Sequence, residues 1–188
     1  MKKYLITSRQ FYTDTPAVFR KILHERIKMY LPEFVLYRDK NNPDYALQAE
    51  HTVETCRQFE GVKSFIHQDP KLAHSLGANG VHLTSKQFDK IKMAKDLDLE
   101  VCVSTHTIEE LQMVEELCAD YATFSPIFPT PAKGEAKGVE GLKKALTSVE
   151  KLKIFALGGI ISDLHVKQLQ EANPYGFASI RYFYEDII

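Results

Sequence analysis

The sequence predicts an α/β fold, a single (β/α)8 TIM barrel with short helices, with residues 1–188 forming one domain. Three observations predict it. Eight short runs rich in β-branched and aromatic residues recur along the chain. Each is apolar almost throughout, as strands covered on both faces are. Amphipathic stretches separate the runs, so the strands are parallel and joined by crossover helices, and eight such units close a barrel. At 188 residues the chain falls just under the ~200-residue lower end of that fold, so helices and loops must be short. An open, doubly wound sheet is the rival arrangement of the same units.

The strands are expected at 3–8 (KYLITS), 34–39 (FVLYRD), 64–67 (SFIH), 80–83 (GVHL), 100–104 (EVCVS), 121–128 (YATFSPIF), 153–158 (KIFALG) and 176–181 (GFASIR). Between the first two, residues 15–30 place Val18, Ile22, Ile27 and Tyr30 at helical spacing. Pro43-Asp44 opens a helix over 43–58. The stretch QDPKLAHSLGAN (68–79) leaves room for about two or three helical turns. Thr107 starts a helix over 107–117, with Glu109 and Glu110 at its positive end. Ser162-Asp163 starts another over 162–172.

A net charge of −1 gives no sign of a nucleic-acid or anionic-membrane partner, although local cationic clusters remain able to bind a small anion. No apolar run approaches the ~20 residues of a membrane helix, and the N-terminus lacks a signal-peptide core. Three cysteines, Cys56, Cys102 and Cys118, without CxxC or Cys/His spacing argue against a disulfide framework or zinc site. Cys102 reads as a small buried hydrophobe. A cytoplasmic location is the expectation, and a homodimer is allowed.

In this barrel the active site lies at the carboxyl ends of the strands. The residues there are Arg38, Asp39 and Lys40 after strand two, then His67 and Gln68 after strand three. His82 follows at the end of strand four, with Ser104 and His106 after strand five and Thr130 and Lys133 after strand six. Gly158-Gly159 and Arg181 close strands seven and eight. Backbone without Cβ atoms approaches ligands closely, and a helix start beyond it offers free N–H groups, so Gly158-Gly159 before Ser162 suits a phosphate. Arg181 adds a fixed fork of donors and Lys133 a point charge. Each residue also has a plain structural alternative: a tight turn for the glycines, a surface ion pair for Arg181, solvation for Lys133. A solvated charge run accounts equally for Arg38 to Lys40, and a hydrogen-bonded core histidine for His82.

Ordered segments of the chain resemble the thiamine phosphate synthase/TenI superfamily over nearly its whole length. They are ADYATFSPIFPTPAKG with FALGGI downstream, LGANGVHL, VSTHTIEEL and FVLYRDK. The resemblance implies a (β/α)8 barrel and ligands of thiamine biosynthesis. In the synthase reaction a hydroxymethylpyrimidine diphosphate loses pyrophosphate and the nitrogen of thiazole phosphate captures its methylene carbon. By the match, Arg38, Lys40 and Lys133 hold the diphosphate with Ser104 beside it, and Thr130 and the Gly159 amide hold the thiazole phosphate. The reading assigns catalytic roles to Lys133, Arg38, Ser104 and His106. Substrate contacts fall to Lys40, His67, His82, Thr130, Gly158, Gly159 and Arg181, and no residue is assigned to a metal.

The departures from the family pattern are specific. Gln68 and Gln87 stand where the family places its two Mg2+ carboxylates, and amide oxygens are weak substitutes around a hard cation. Asp69 and Asp89 lie one and two residues away from them. Leu36 replaces a strand-two glutamine, Ala132 a loop threonine, and Pro126 stands at the position of the TenI tautomerase histidine. The expectation is a family protein that binds phosphorylated thiazole, pyrimidine or thiamine phosphate, with the coupling reaction as its chemistry if it is an enzyme. The alternatives are a TenI-like binding or regulatory protein without coupling activity, or an isomerase acting on another phosphorylated small molecule through His67 or His106.

Overall fold

The computed structural model describes residues 1–39, 41–131 and 133–184. Eight parallel strands close into a barrel in sequence order: β1 (Lys2–Ile6), β2 (Phe34–Tyr37), β3 (Lys63–His67), β4 (Gly80–Leu83), β5 (Glu100–Thr105), β6 (Tyr121–Phe124), β7 (Lys153–Leu157) and β8 (Gly176–Ser179), with β8 pairing β1. The open-sheet rival is thereby set aside. The helices are α1 (Arg9–Tyr12), α2 (Pro16–Tyr30), α3 (Tyr45–Cys56), α4 (Pro70–Ser75), α5 (Ile91–Asp96), α6 (Ile108–Glu116), α7 (Gly138–Thr147) and α8 (Asp163–Leu169). Short 3-10 turns at Phe88–Lys90 and Arg181–Phe183 complete the set.

Local chemistry fixes several boundaries. Pro16 fills the first position of α2, where its missing N–H costs nothing. Thr107 caps α6 by accepting the Glu110 N–H at 3.1 Å. Asp69 caps α4 by accepting the Leu72 N–H at 3.0 Å. Alternation along the strands then divides the side chains. Tyr4, Phe34, Phe65, Tyr121 and Phe155 turn inward and pack ring against ring, with Tyr175 below them. The opposite faces pack Val35, Ile66, Val81, Val101 and Ile154 against the helices. The interior is a filled core, so a ligand sits at an end of the barrel and not between the strands.

The strands expected at 3–8, 34–39, 121–128, 153–158 and 176–181 end early, and two of them show the cause. The run 121–128 is strand only to Phe124, because Ile127 and Phe128 give their N–H groups to the carbonyls of Leu157 and Gly158, around Pro126 and Pro129. Likewise β8 stops at Ser179, whose hydroxyl turns back to the Ile160 carbonyl at 2.7 Å, and Arg181 begins a 3-10 turn instead.

Candidate functional site

The carboxyl ends of the strands carry a polar cap over the aromatic floor. On β2 the inward positions Phe34 and Leu36 are apolar, and the next in that alternation is Arg38. Its guanidinium is partly buried and forms no ion pair among the described residues. Burial lowers its pKa, opposed by the nearby Asp39 carboxylate. Asp39 is committed elsewhere: Arg9 Nε binds Asp39 Oδ2 at 2.9 Å. Lys40 lies outside the described residues, as does Ala132.

His67 and His82 are neighbours across β3 and β4, with ring centroids 6.2 Å apart. Tyr45 clamps the backbone of His67, accepting its N–H at 3.2 Å and donating to its carbonyl at 3.1 Å. His82 is buried, and both of its ring nitrogens are bonded. Nδ1 meets the Tyr4 hydroxyl at 3.0 Å and Nε2 meets the Ser104 hydroxyl at 2.9 Å. Burial holds its imidazole well below the ordinary histidine value, and the positive fields of His67 and Arg38 lower it further. It is therefore neutral at pH 7. Ser104, partly exposed, is the accessible end of this chain.

His106 is exposed beside β6, its Nδ1 at 3.2 Å from the Ser125 carbonyl and 3.3 Å from the Ser125 hydroxyl. With Pro126, Lys133, Glu135 and Lys137 these two residues line an open cavity of about 660 Å3. Lys133 forms no ion pair among the described residues, whereas the hydroxyl of Thr130 donates to the Phe128 carbonyl at 3.0 Å. That proton is turned into the loop and away from a ligand.

Gly158, Gly159 and Arg181 are not among the residues lining that cavity. The two glycines form its backing. A Cβ on Gly158 would meet Pro126 Cα at 2.8 Å, and one on Gly159 would meet Phe128 Cβ at 2.6 Å. Close packing of the β7 loop on the β6 loop therefore requires glycine before any ligand is considered. The Gly159 and Ile160 N–H groups find no acceptor among the described residues. Arg181 follows Ile180, which packs on the interior cluster, and its guanidinium is without a partner among the described residues.

Of the two positions where the resemblance places metal carboxylates, Gln87 is engaged through its side chain and Gln68 through its backbone carbonyl. Gln87 accepts from the Thr84 N–H and hydroxyl at 3.1 and 3.2 Å and donates its amide to the Gln68 carbonyl at 3.2 Å. Asp69 is the α4 cap, and Asp69 and Asp89 both keep solvent-accessible surface. Among the described residues no three His, Cys, Asp or Glu side chains gather closely enough to hold an ion. A neutral amide brace across two loops does not fit a hard dication.

Sequence reasoning missed Tyr4, Ser125 and Thr123. Tyr4 reads as an ordinary core aromatic, and only the closed barrel brings it to His82. Thr123 lies beside Ser104 in the sheet register, inside the barrel, with a buried hydroxyl that has no partner among the described residues. Its signal was a polar residue in an otherwise apolar strand.

Residues 3–183 match the family model described as "Thiamine monophosphate synthase". The chain is 38% identical over 168 residues to a thiamine-phosphate synthase of Bacillus anthracis, covering 84% of this chain and 74% of that protein. It is 31% identical over 137 residues to a thiamine-phosphate synthase of Anoxybacillus flavithermus, covering 70% of this chain and 62% of that one, less than two thirds of the relative's length. Its backbone superposes on the thiamine phosphate pyrophosphorylase from Pyrococcus furiosus with a TM-score of 0.82 at 26% identity, covering 95% of this chain and 85% of that one.

Proposed function

The chain belongs to the thiamine monophosphate synthase family, and from that footing we propose that it binds the phosphorylated heterocycles of thiamine biosynthesis and couples a pyrimidine diphosphate to a thiazole phosphate. The observation that carries this reading is Arg38: a partly buried guanidinium, its pKa lowered by burial, with its neighbouring carboxylate already paired to Arg9. An unpaired charge in such a place is costly, and a diphosphate oxygen relieves the cost.

In this reading Arg38 and Lys133 stabilise the departing pyrophosphate from two sides, and Ser104 donates to one of its oxygens. The free N–H groups of Gly159 and Ile160 hold the second phosphate, with Arg181 beside them. The apolar interior positions Ile6, Leu36, Leu157 and Ile180 support the flat rings. The chain's own cations take the place of the Mg2+ that its amide-braced loops do not accommodate. His106, anchored on Ser125 at the cavity wall, positions the ligand edge there.

Incubating purified protein with hydroxymethylpyrimidine diphosphate and thiazole phosphate, with and without EDTA, tests this directly. Thiamine phosphate should form in both. Absence of product together with absence of calorimetric binding removes the proposal. Binding without product selects the second reading, a non-coupling binding protein, which the Gln87 brace favours if coupling demands a dication.

No helix among the described residues is long and apolar enough to cross a membrane. The described cysteines are unpaired, which fits a reducing cytoplasm. A homodimer is part of the proposal: Met113 and Leu117, four apart at the end of α6, are both exposed and offer an apolar strip for a second copy.

A further inference from the structure

We infer that Tyr4 and His82 are positioning residues: they form a neutral hydrogen-bond relay that turns the Ser104 hydroxyl proton toward the barrel mouth, where it donates to a phosphate or diphosphate oxygen. The inference rests on the anion-binding reading above and deepens it.

The geometry is a line of three hydrogen-bonded groups rising from the barrel interior to the site. Cys102 shares the interior cluster with Tyr4 at its lower end. Tyr4 meets His82 Nδ1 at 3.0 Å, and His82 Nε2 meets Ser104 at 2.9 Å. Cys102 and Tyr4 have no exposed surface, His82 has almost none, and Ser104 alone reaches the mouth. Burial pushes the Tyr4 phenol and the Cys102 thiol up, so both keep their protons, and it pushes the His82 imidazole down, so it stays neutral.

A neutral imidazole carries one N–H and one lone pair, so the line has two self-consistent directions. In one, every proton points up: Tyr4 donates to Nδ1, Nε2–H donates to Ser104, and the serine proton is free at the mouth. In the other, every proton points down, and Ser104 presents only lone pairs. An ionised phosphate oxygen has no proton to offer at Ser104, so when it meets that hydroxyl it selects the upward direction and with it the Nε2–H tautomer. The relay supplies a directed donor without placing a charge in the core, where an unpaired one would be costly.

The test uses 13C,15N-histidine-labelled protein titrated with inorganic pyrophosphate. His82 is identified as the resonance missing from His82→Gln. The expected state with pyrophosphate bound is a neutral ring protonated on Nε2. Tyr4→Phe should weaken pyrophosphate binding roughly 3- to 10-fold, one neutral hydrogen bond's worth. In a Ser104→Ala background the same substitution should change nothing further. An imidazolium at neutral pH, an Nδ1-protonated ring with pyrophosphate bound, or an undiminished Tyr4→Phe effect in Ser104→Ala overturns the relay. Wild-type protein that binds neither pyrophosphate nor thiamine phosphate overturns the functional reading and the relay with it. Wild-type protein that binds both, but no more tightly than Tyr4→Phe does, overturns the relay alone.

Discussion

Gly159 and Phe128 are packed so closely that a Cβ on the glycine would lie 2.6 Å from the phenylalanine Cβ and 2.8 Å from its carbonyl carbon. Gly159 also has a φ of +70°, where an L side chain costs about 1–2 kcal/mol. Gly159→Ala should therefore destabilise the protein by about 2–3 kcal/mol and weaken phosphate binding, because the β6 loop must move off the β7 loop. Gly134 is the control, because a Cβ added there would meet nothing within 4 Å, and Gly134→Ala should fall within about 0.5 kcal/mol of wild type. Urea denaturation of both variants checks the contrast.

Arg38 and Arg9 should respond in opposite ways to the same substitution. Arg38 has no ion-pair partner among the described residues, so Arg38→Met should leave the free protein as stable as wild type or more so, while pyrophosphate binding falls at least roughly tenfold. Arg9 pairs with the buried Asp39, so Arg9→Met should lower stability by stranding a carboxylate. Thermal melts and calorimetric titration of the pair separate the two roles. Equal loss of stability in both would show that Arg38 serves the fold and has no need of an anion.

Much of the barrel was legible because strands buried on both faces read as unbroken apolar runs, and FVLY, GVHL and KIFAL fall where such runs predict. The exceptions have local causes. SPIF looks like strand, but Pro126 within it and Pro129 after it divert it into a loop whose Ile127 and Phe128 amides bond the carbonyls of Leu157 and Gly158. The positions of several rim residues were also legible, since His67, His82 and Ser104 lie at the carboxyl ends of their strands and Arg38 and His106 just beyond theirs. The support beneath them was not. Tyr4 and His82 are 78 residues apart, and no local pattern distinguishes a phenol that will meet an imidazole from one that only fills space. The same holds for Asp69, which lies one residue from a position where the family places a metal carboxylate and acts as a helix cap in the fold.

Metal removal should leave ligand binding unchanged. Gln87 already satisfies the Thr84 N–H with its oxygen and the Gln68 carbonyl with its amide, which leaves it little capacity for a cation. Calorimetric titrations with pyrophosphate in EDTA and in millimolar Mg2+ should give the same affinity per protein site once Mg2+–pyrophosphate pairing in solution is subtracted. Gln87→Glu should lose about 1–2 kcal/mol of stability, because a carboxylate replaces the donor facing the Gln68 carbonyl. Recovery of that loss by Mg2+ alone would reveal a cation site at this brace.

The buried His82 should make stability depend on pH in one window. Its folded pKa lies well below the unfolded value of about 6.5, because burial, then His67 and Arg38, disfavour the imidazolium. Above pH 6.5 the ring is neutral in both states and exacts no penalty. As the pH falls below 6.5 the unfolded chain takes up a proton that the folded protein refuses, so stability declines, by at most about 1.4 kcal/mol per pH unit for one site. The measurable quantity is the difference between wild type and a variant that cannot ionise at this position. His82→Gln keeps a donor and an acceptor for Tyr4 and Ser104 but cannot ionise. The stability of wild type relative to this variant should hold steady from pH 7.5 to 6.5 and then drop toward pH 5, read from urea denaturation at each pH. A difference that stays flat across the whole range would mean that His82 accepts its proton in the folded barrel as readily as in the unfolded chain, and the neutral relay from Tyr4 to Ser104 would lose its basis.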